Sequence, residues 1–143
     1  MECSPQDAPP SEVMDAEEIF HNVLFHFIAT LRILAMEPEA QCEAQGNYNV
    51  AQELQQEALS GRYLVGKGRL DEVEEIAIEA LASSISELPK LALTFANGHK
   101  PNVLNMERVA WTPIRAQAAL LLELLIPRIA ENNAYFERSK SAP

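Results

Sequence analysis

The segment from Glu12 to Met36 constrains the fold more than any other part of the chain. Val13, Ala16, Phe20, Val23, Phe27, Leu31 and Leu34 recur at intervals of three and four residues, the spacing that stacks side chains on one face of an α-helix. Ile19, Leu24, Phe25, Ile28 and Ile33 widen that face. Only a narrow strip of Asp15, Glu18, Asn22, His26 and Thr30 is left polar. A helix apolar around most of its circumference needs cover on several sides, so it belongs at the centre of a helical protein or in an interface. Ser11 is the candidate cap at its start, with Glu12, Asp15, Glu17 and Glu18 placed against the positive end of the helix dipole. Pro38 ends or redirects it.

Three further segments carry the same period. Residues 39–65 read as a second helical segment broken at Gly46-Asn47. Ala51, Leu54, Ala58 and Leu59 should face inward there, and Gln52, Glu53, Gln56 and Glu57 outward. As the least apolar segment, it is expected to be the most exposed. Gly66-Lys67-Gly68 forces a turn. Asp71 and Glu74 have the spacing of a capping box. They open a third helix with Val73, Ile76, Ala77, Ala80, Leu81, Ile85 and Leu88 expected inside, and Glu72, Glu75, Glu79 and Ser83 outside. Pro89 stops that helix and starts a short one through Phe95, which Asn97-Gly98 ends. His99-Lys100-Pro101 reads as a surface loop and Asn102 as the cap of a turn running to Trp111. Thr112-Pro113 opens the last long helix, to about Phe136, on a stripe of Ile114, Ala118, Leu121, Leu125, Ile129 and Phe136. Pro127 should kink it.

No segment alternates with the two-residue period of a strand. The expected fold is therefore all-α, an antiparallel helical bundle of four main helical segments plus short helical turns. A single helical domain spans 12–138. An acidic, Pro-containing tail precedes it at 1–11, and residues 139–143 form a frayed end.

The formal net charge is −10, and its distribution is uneven. Residues 1–61 hold eleven acids against Arg32 alone, whereas acids and bases balance over 62–143. Such a surface repels nucleic acid and anionic membrane, and it suits a basic protein partner. No stretch reaches the roughly 18 uncharged apolar residues of a membrane span. The first residues lack the basic and apolar runs of an export signal. Cys3 and Cys42 make no disulfide framework, so free thiols in the cytoplasm are expected.

Local motifs are few. Gly61-Arg62-Tyr63-Leu64-Val65-Gly66-Lys67 has the GxxxxGK spacing of a phosphate-binding loop. However, Gly68 stands where magnesium needs a hydroxyl, and a helix precedes the motif where a strand is required. A helix-terminal turn is the better reading. Glu18-Ile19-Phe20-His21 places a carboxylate and an imidazole on one helix face. With Glu17 and His26 it makes a candidate metal set, Glu17, Glu18, His21 and His26, that lacks a second copy of the motif. Alone, His26 reads as a hydrogen-bonded core histidine. Cys42 has no neighbouring base and does not read as a nucleophile. No catalytic residue and no cofactor is assigned, and a non-enzymatic role is favoured.

The favoured function is a small acidic protein-interaction module, in character like the helical proteins that neutralise a basic toxin or nuclease. Its contact residues would be Glu12, Asp15, Glu18, Phe25, Glu53 and Glu57. Two alternatives stand beside it. One is a helical bundle that binds metal or a small ligand. The other is a homo-oligomeric scaffold paired through residues 12–36, where Phe25, Leu24, Ile28 and Ile33 form a second apolar face.

Overall fold

The computed structural model describes residues 15–141. These form seven α-helices: α1 (Ala16–Leu34), α2 (Pro38–Ala44), α3 (Val50–Leu59), α4 (Glu72–Ser86), α5 (His99–Met106), α6 (Thr112–Leu124) and α7 (Ile126–Ser141). Short 3-10 turns at Ser60–Leu64, Lys90–Leu93 and Val109–Trp111 join them. The protein is all-α.

Helix α1 is the central element and touches α2, α3, α6 and α7. Its cap is Asp15, whose Oδ1 accepts from the Glu18 amide at 2.8 Å; Ser11 and Glu12 lie outside the described residues. Leu24 and Ile28 are buried, as are Phe20, Phe27, Leu31 and Leu34. Leu24 and Ile28 of the second apolar face are thus covered from within the chain, and Ile33 partly so. Phe25 alone stays half open, its ring edge-on to Phe136 at 5.9 Å.

Two expectations about which surfaces are buried are corrected. The segment expected to be most exposed supplies core: Cys42, Val50, Leu54 and Leu64 are inaccessible to solvent. Its apolar residues are few, but α3 packs against α1, α4 and α5 and buries Val50, Ala51, Leu54 and Ala58 on one face. Gln52 and Gln55 then donate from its flanks to the carbonyls of Leu93 and Ile85. On α4 the buried face is Glu74, Ile78, Leu81, Ala82 and Ile85, whereas Val73 and Ile76 are each 62% exposed. Apolar residues lie on both sides of this helix, so periodicity alone does not fix its rotation. Glu74 does. It completes the capping box with Asp71, each donating its backbone N–H to the other's carboxylate at 2.9 and 2.8 Å. The same carboxylate takes Arg128 Nε of α7 at 3.0 Å on both oxygens. A buried carboxylate must keep its cation and its donors, so α4 turns Glu74 inward and carries Val73 out.

Pro127 does more than kink the last helix. It has no N–H to give and its ring collides with the preceding turn. The chain breaks at Leu125, and the two halves meet at 63°. The break lays α7 across α1. Among the described residues no single helix is long and apolar enough to cross a membrane.

At the opposite end, the 45–49 and 94–98 connections zip together. The Asn49 amide donates to Ala96 O at 2.7 Å and the Gly98 amide to Asn47 O at 2.8 Å. Asn47 and Asn49 both take left-handed φ, at 58° and 46°. Asn102 does not cap a turn. It lies buried inside α5, and His99-Lys100-Pro101 forms the first turn of that helix rather than a loop.

Candidate functional site

The best-organised polar cluster lies where α7 passes over α1. His21 lies in the second turn of α1 and is partly buried. Its Nδ1–H donates to Oδ1 of the buried Asn132 at 2.6 Å, and its ring stacks on Tyr135 with centroids 3.9 Å apart and planes 11° from parallel. Phe20 and Phe136 meet the same imidazole edge-on. Burial holds the Tyr135 phenol above its ordinary pKa, and the carboxylates of Glu18, Asp15 and Glu17 add to this. A cavity of about 460 Å³ opens on one side of this stack, lined by Phe20, His21, Arg69, Arg128, Glu131 and Arg138 among others. On the other side an open pocket of about 600 Å³ holds Phe25, His26, Phe136 and Lys140.

The four candidate metal residues do not converge. Glu17 faces Arg69, with 3.7 Å between Oε2 and Nη1. Glu18 lies in the cap turn and His21 is occupied by Asn132. His26 is exposed beside Phe25 rather than in the core, because the chain buries Phe27 and Ile28 on the other face. Among the described residues no group of three His, Cys, Asp or Glu side chains is placed to hold a metal ion.

The proposed contact residues fall into two separate places. Glu57 accepts from Thr30 Oγ1 and from Gln45 Nε2, each at 3.4 Å, which sets it beside the C-terminal half of α1. Thr30 follows Glu18 by twelve residues, about 18 Å along a helix axis. Asp15 and Glu18 are therefore remote from Glu53 and Glu57. Phe25 sits under α7, and Glu12 lies outside the described residues. Glu53 and Glu57 lie on α3, and Glu37, Glu39 and Glu43 on α2 and its cap, a stretch of chain with no Lys or Arg between Arg32 and Arg62. Among the described residues none of these five has a cation within 4.0 Å.

The GxxxxGK stretch is a turn. Gly61 packs on the Phe27 ring, the Gly66 amide donates to Glu75 Oε2 at 2.8 Å, and Lys67 Nζ lies 4.2 Å above the Tyr63 ring. The groups that would hold a phosphate are used internally.

Cys42 is buried, and burial first, then the Glu107 carboxylate, pushes its thiol up to about 11. The thiolate is the reactive form. In a Cys3→Ser background the native protein is expected to leave a thiol reagent such as Ellman's unreacted at neutral pH, and to titrate one thiol when denatured. Fast native labelling would contradict the burial. The linkage has a definite sign. Unfolded chains ionise this thiol near pH 9 while the folded state retains its proton to about 11. Stability from this group is complete below pH 9 and declines as pH rises to 11. Cys42→Ala should flatten that decline in urea melts.

His21 is legible in the sequence as a site residue, whereas Asn132, Arg69, Arg128 and Arg138 are not. Of these only Arg128 and Arg138 leave a local trace, recurring with Glu131 at helical spacing along α7. No family model, curated protein or solved structure matches this chain.

Proposed function

We propose that this protein binds a basic segment of a partner protein through the α2–α3 surface, with Glu53 and Glu57 at its centre and Glu37, Glu39 and Glu43 around them. The observation that carries this reading is the run of five carboxylates along α2, its cap and α3, with no cation within 4.0 Å of any of them among the described residues. Charges of one sign held together cost self-repulsion, which a partner of opposite sign relieves while being steered to the site. The amide of Gln56 borders a shallow groove with Glu53 and Glu57, adding a directional acceptor and donor to the charge. The contact surface differs from the one expected from sequence in excluding α1. In this reading the protein works in the cytoplasm, where Cys42 stays a thiol.

The test is affinity capture from extract of the source cells at low and high salt, followed by binding measurements on the recovered protein. A basic partner should be held at low salt and released at high salt. Glu53→Lys with Glu57→Lys should weaken that binding by roughly tenfold or more, about 1.4 kcal/mol. The same charge reversal at exposed Glu87 and Glu123 should leave it nearly unchanged. If both double variants bind equally well, or the partner is acidic, the α2–α3 reading is wrong.

A further inference from the structure

A second site lies away from the α2–α3 surface and does not depend on it. The chain is strongly acidic and has only seven arginines, yet three of them, Arg69, Arg128 and Arg138, line the cavity of about 460 Å³ beside His21. They arrive from separate places: Arg69 from the turn after Gly68, the other two from α7.

Carboxylates account for only part of this charge. Arg128 is committed, since its Nε bridges both Glu74 oxygens at 3.0 Å and its Nη1 meets Glu131 at 2.7 Å. It holds α7 to α4. Arg69 is tied loosely, 3.7 Å from Glu17, and its guanidinium lies over the Phe20 ring, 5.7 Å from the centroid. That stacking leaves the planar edge with its donors available. Arg138 has no carboxylate within 4.0 Å among the described residues. The cavity thus presents two guanidiniums with donors to spare.

His21 supplies the complementary group. Asn132 is buried at 1% exposure and its Oδ1 accepts from Nδ1–H, which leaves Nε2, without a hydrogen-bond partner among the described residues, as the acceptor of a ring in that tautomer. Stacking on Tyr135 fixes the ring's plane. Phe20, Leu24 and Ala134 give the cavity an apolar wall. Fork-shaped donors, one oriented imidazole and an apolar wall match an organic group that carries an oxyanion. Arg69 and Arg138 would donate to its charged oxygens, while the imidazole nitrogen is left to accept from a hydroxyl or N–H on the organic part of the molecule.

We propose that this cavity binds a small organic molecule bearing a phosphate or carboxylate group, with Arg69 and Arg138 as its anion ligands and His21 as its orienting residue. Phenyl phosphate, benzoate and phenol serve as probes, followed by backbone amide NMR shifts and calorimetry, with chloride matching ionic strength. At least one of the two anions should bind with one-to-one stoichiometry and shift the amides around His21 and Asn132. Arg69→Gln with Arg138→Gln should weaken that binding at least tenfold. Both residues are exposed, so the variant retains the fold, which its unchanged amide spectrum elsewhere would verify. Preference for phenyl phosphate over benzoate identifies a phosphate site, and the reverse a carboxylate site. Phenol binding as well as either anion, no response to both anions, or a response indifferent to the two arginine replacements would overturn the proposal.

Discussion

Asn102→Ala is expected to cost about 4 kcal/mol of folding stability, a large share of the roughly 5–15 kcal/mol that holds a domain together. Asn102 is inaccessible to solvent. Its Oδ1 accepts from the Val50 amide at 2.9 Å, one of the first N–H groups of α3, which no intrahelical carbonyl can satisfy. Its Nδ2 donates to the carbonyls of Asn47, Ala96 and Gly98 at 2.9, 3.1 and 2.7 Å. One side chain thus ties together α3, the turn before it and the turn before α5. Alanine strands the buried Val50 N–H, at about 1–3 kcal/mol for a group that water cannot reach, and removes a donor from three carbonyls, of which Asn47 and Ala96 keep a backbone N–H, at about 1 kcal/mol for each bond lost. Urea melts of the two proteins measure the difference. Asn102→Asp separates the two halves of the role. It keeps the acceptor for Val50 but sets a carboxylate against three carbonyl oxygens, so it should destabilise at least as much as alanine. If Asn102→Asp melts like the parent, the donor half of the network contributes nothing and this account of the 45–49 turn fails.

Gly61→Ala is the second large effect, expected at about 3 kcal/mol. A methyl group at this position would come within 2.7 Å of Phe27 Cδ1 and 2.8 Å of Cζ. Phe27 is buried in the core of α1, so its ring cannot swing away, and overpacking of this kind costs about 1–3 kcal/mol or more. The double variant Gly61→Ala with Phe27→Leu should recover part of the loss, giving a coupling energy of about 1 kcal/mol or more between the two sites. Gly66→Ala and Gly68→Ala make the contrast. Neither would meet a neighbouring atom within 4 Å, but both positions have left-handed φ, 80° and 76°. Each should cost only about 1–2 kcal/mol. A phosphate loop would place its sensitivity at Gly66 and Lys67, with phosphate-dependent stability. A helix-terminal turn places it at Gly61, where α1 and the 60–64 turn come closest.

The sequence by itself determined the all-α class and the places where helices stop. Both rest on forces that act within about four residues: side-chain period, a proline without an N–H, a glycine free to take positive φ, and an Asp reaching the N3 amide. Pro38, Gly46-Asn47, Pro89 and Pro127 all interrupt helices in the structure. The Asp71–Glu74 capping box was legible for the same reason. The rotation of α4 was not, because Val73 and Ile78 fit the helical period equally well. Arg128, fifty-four residues beyond Glu74, chooses between them. The candidate site was half legible: His21 stood out as a polar residue on an apolar helix, but its partner Asn132 lies 111 residues away. The dispersed acids of residues 15–57 showed in the charge count, whereas the division between Asp15–Glu18 and the α2–α3 surface depends on where α1 and α3 meet. Tertiary structure decided these matters because a buried polar group can be placed only when its partner arrives with it. The energy of that pairing is carried by no segment alone.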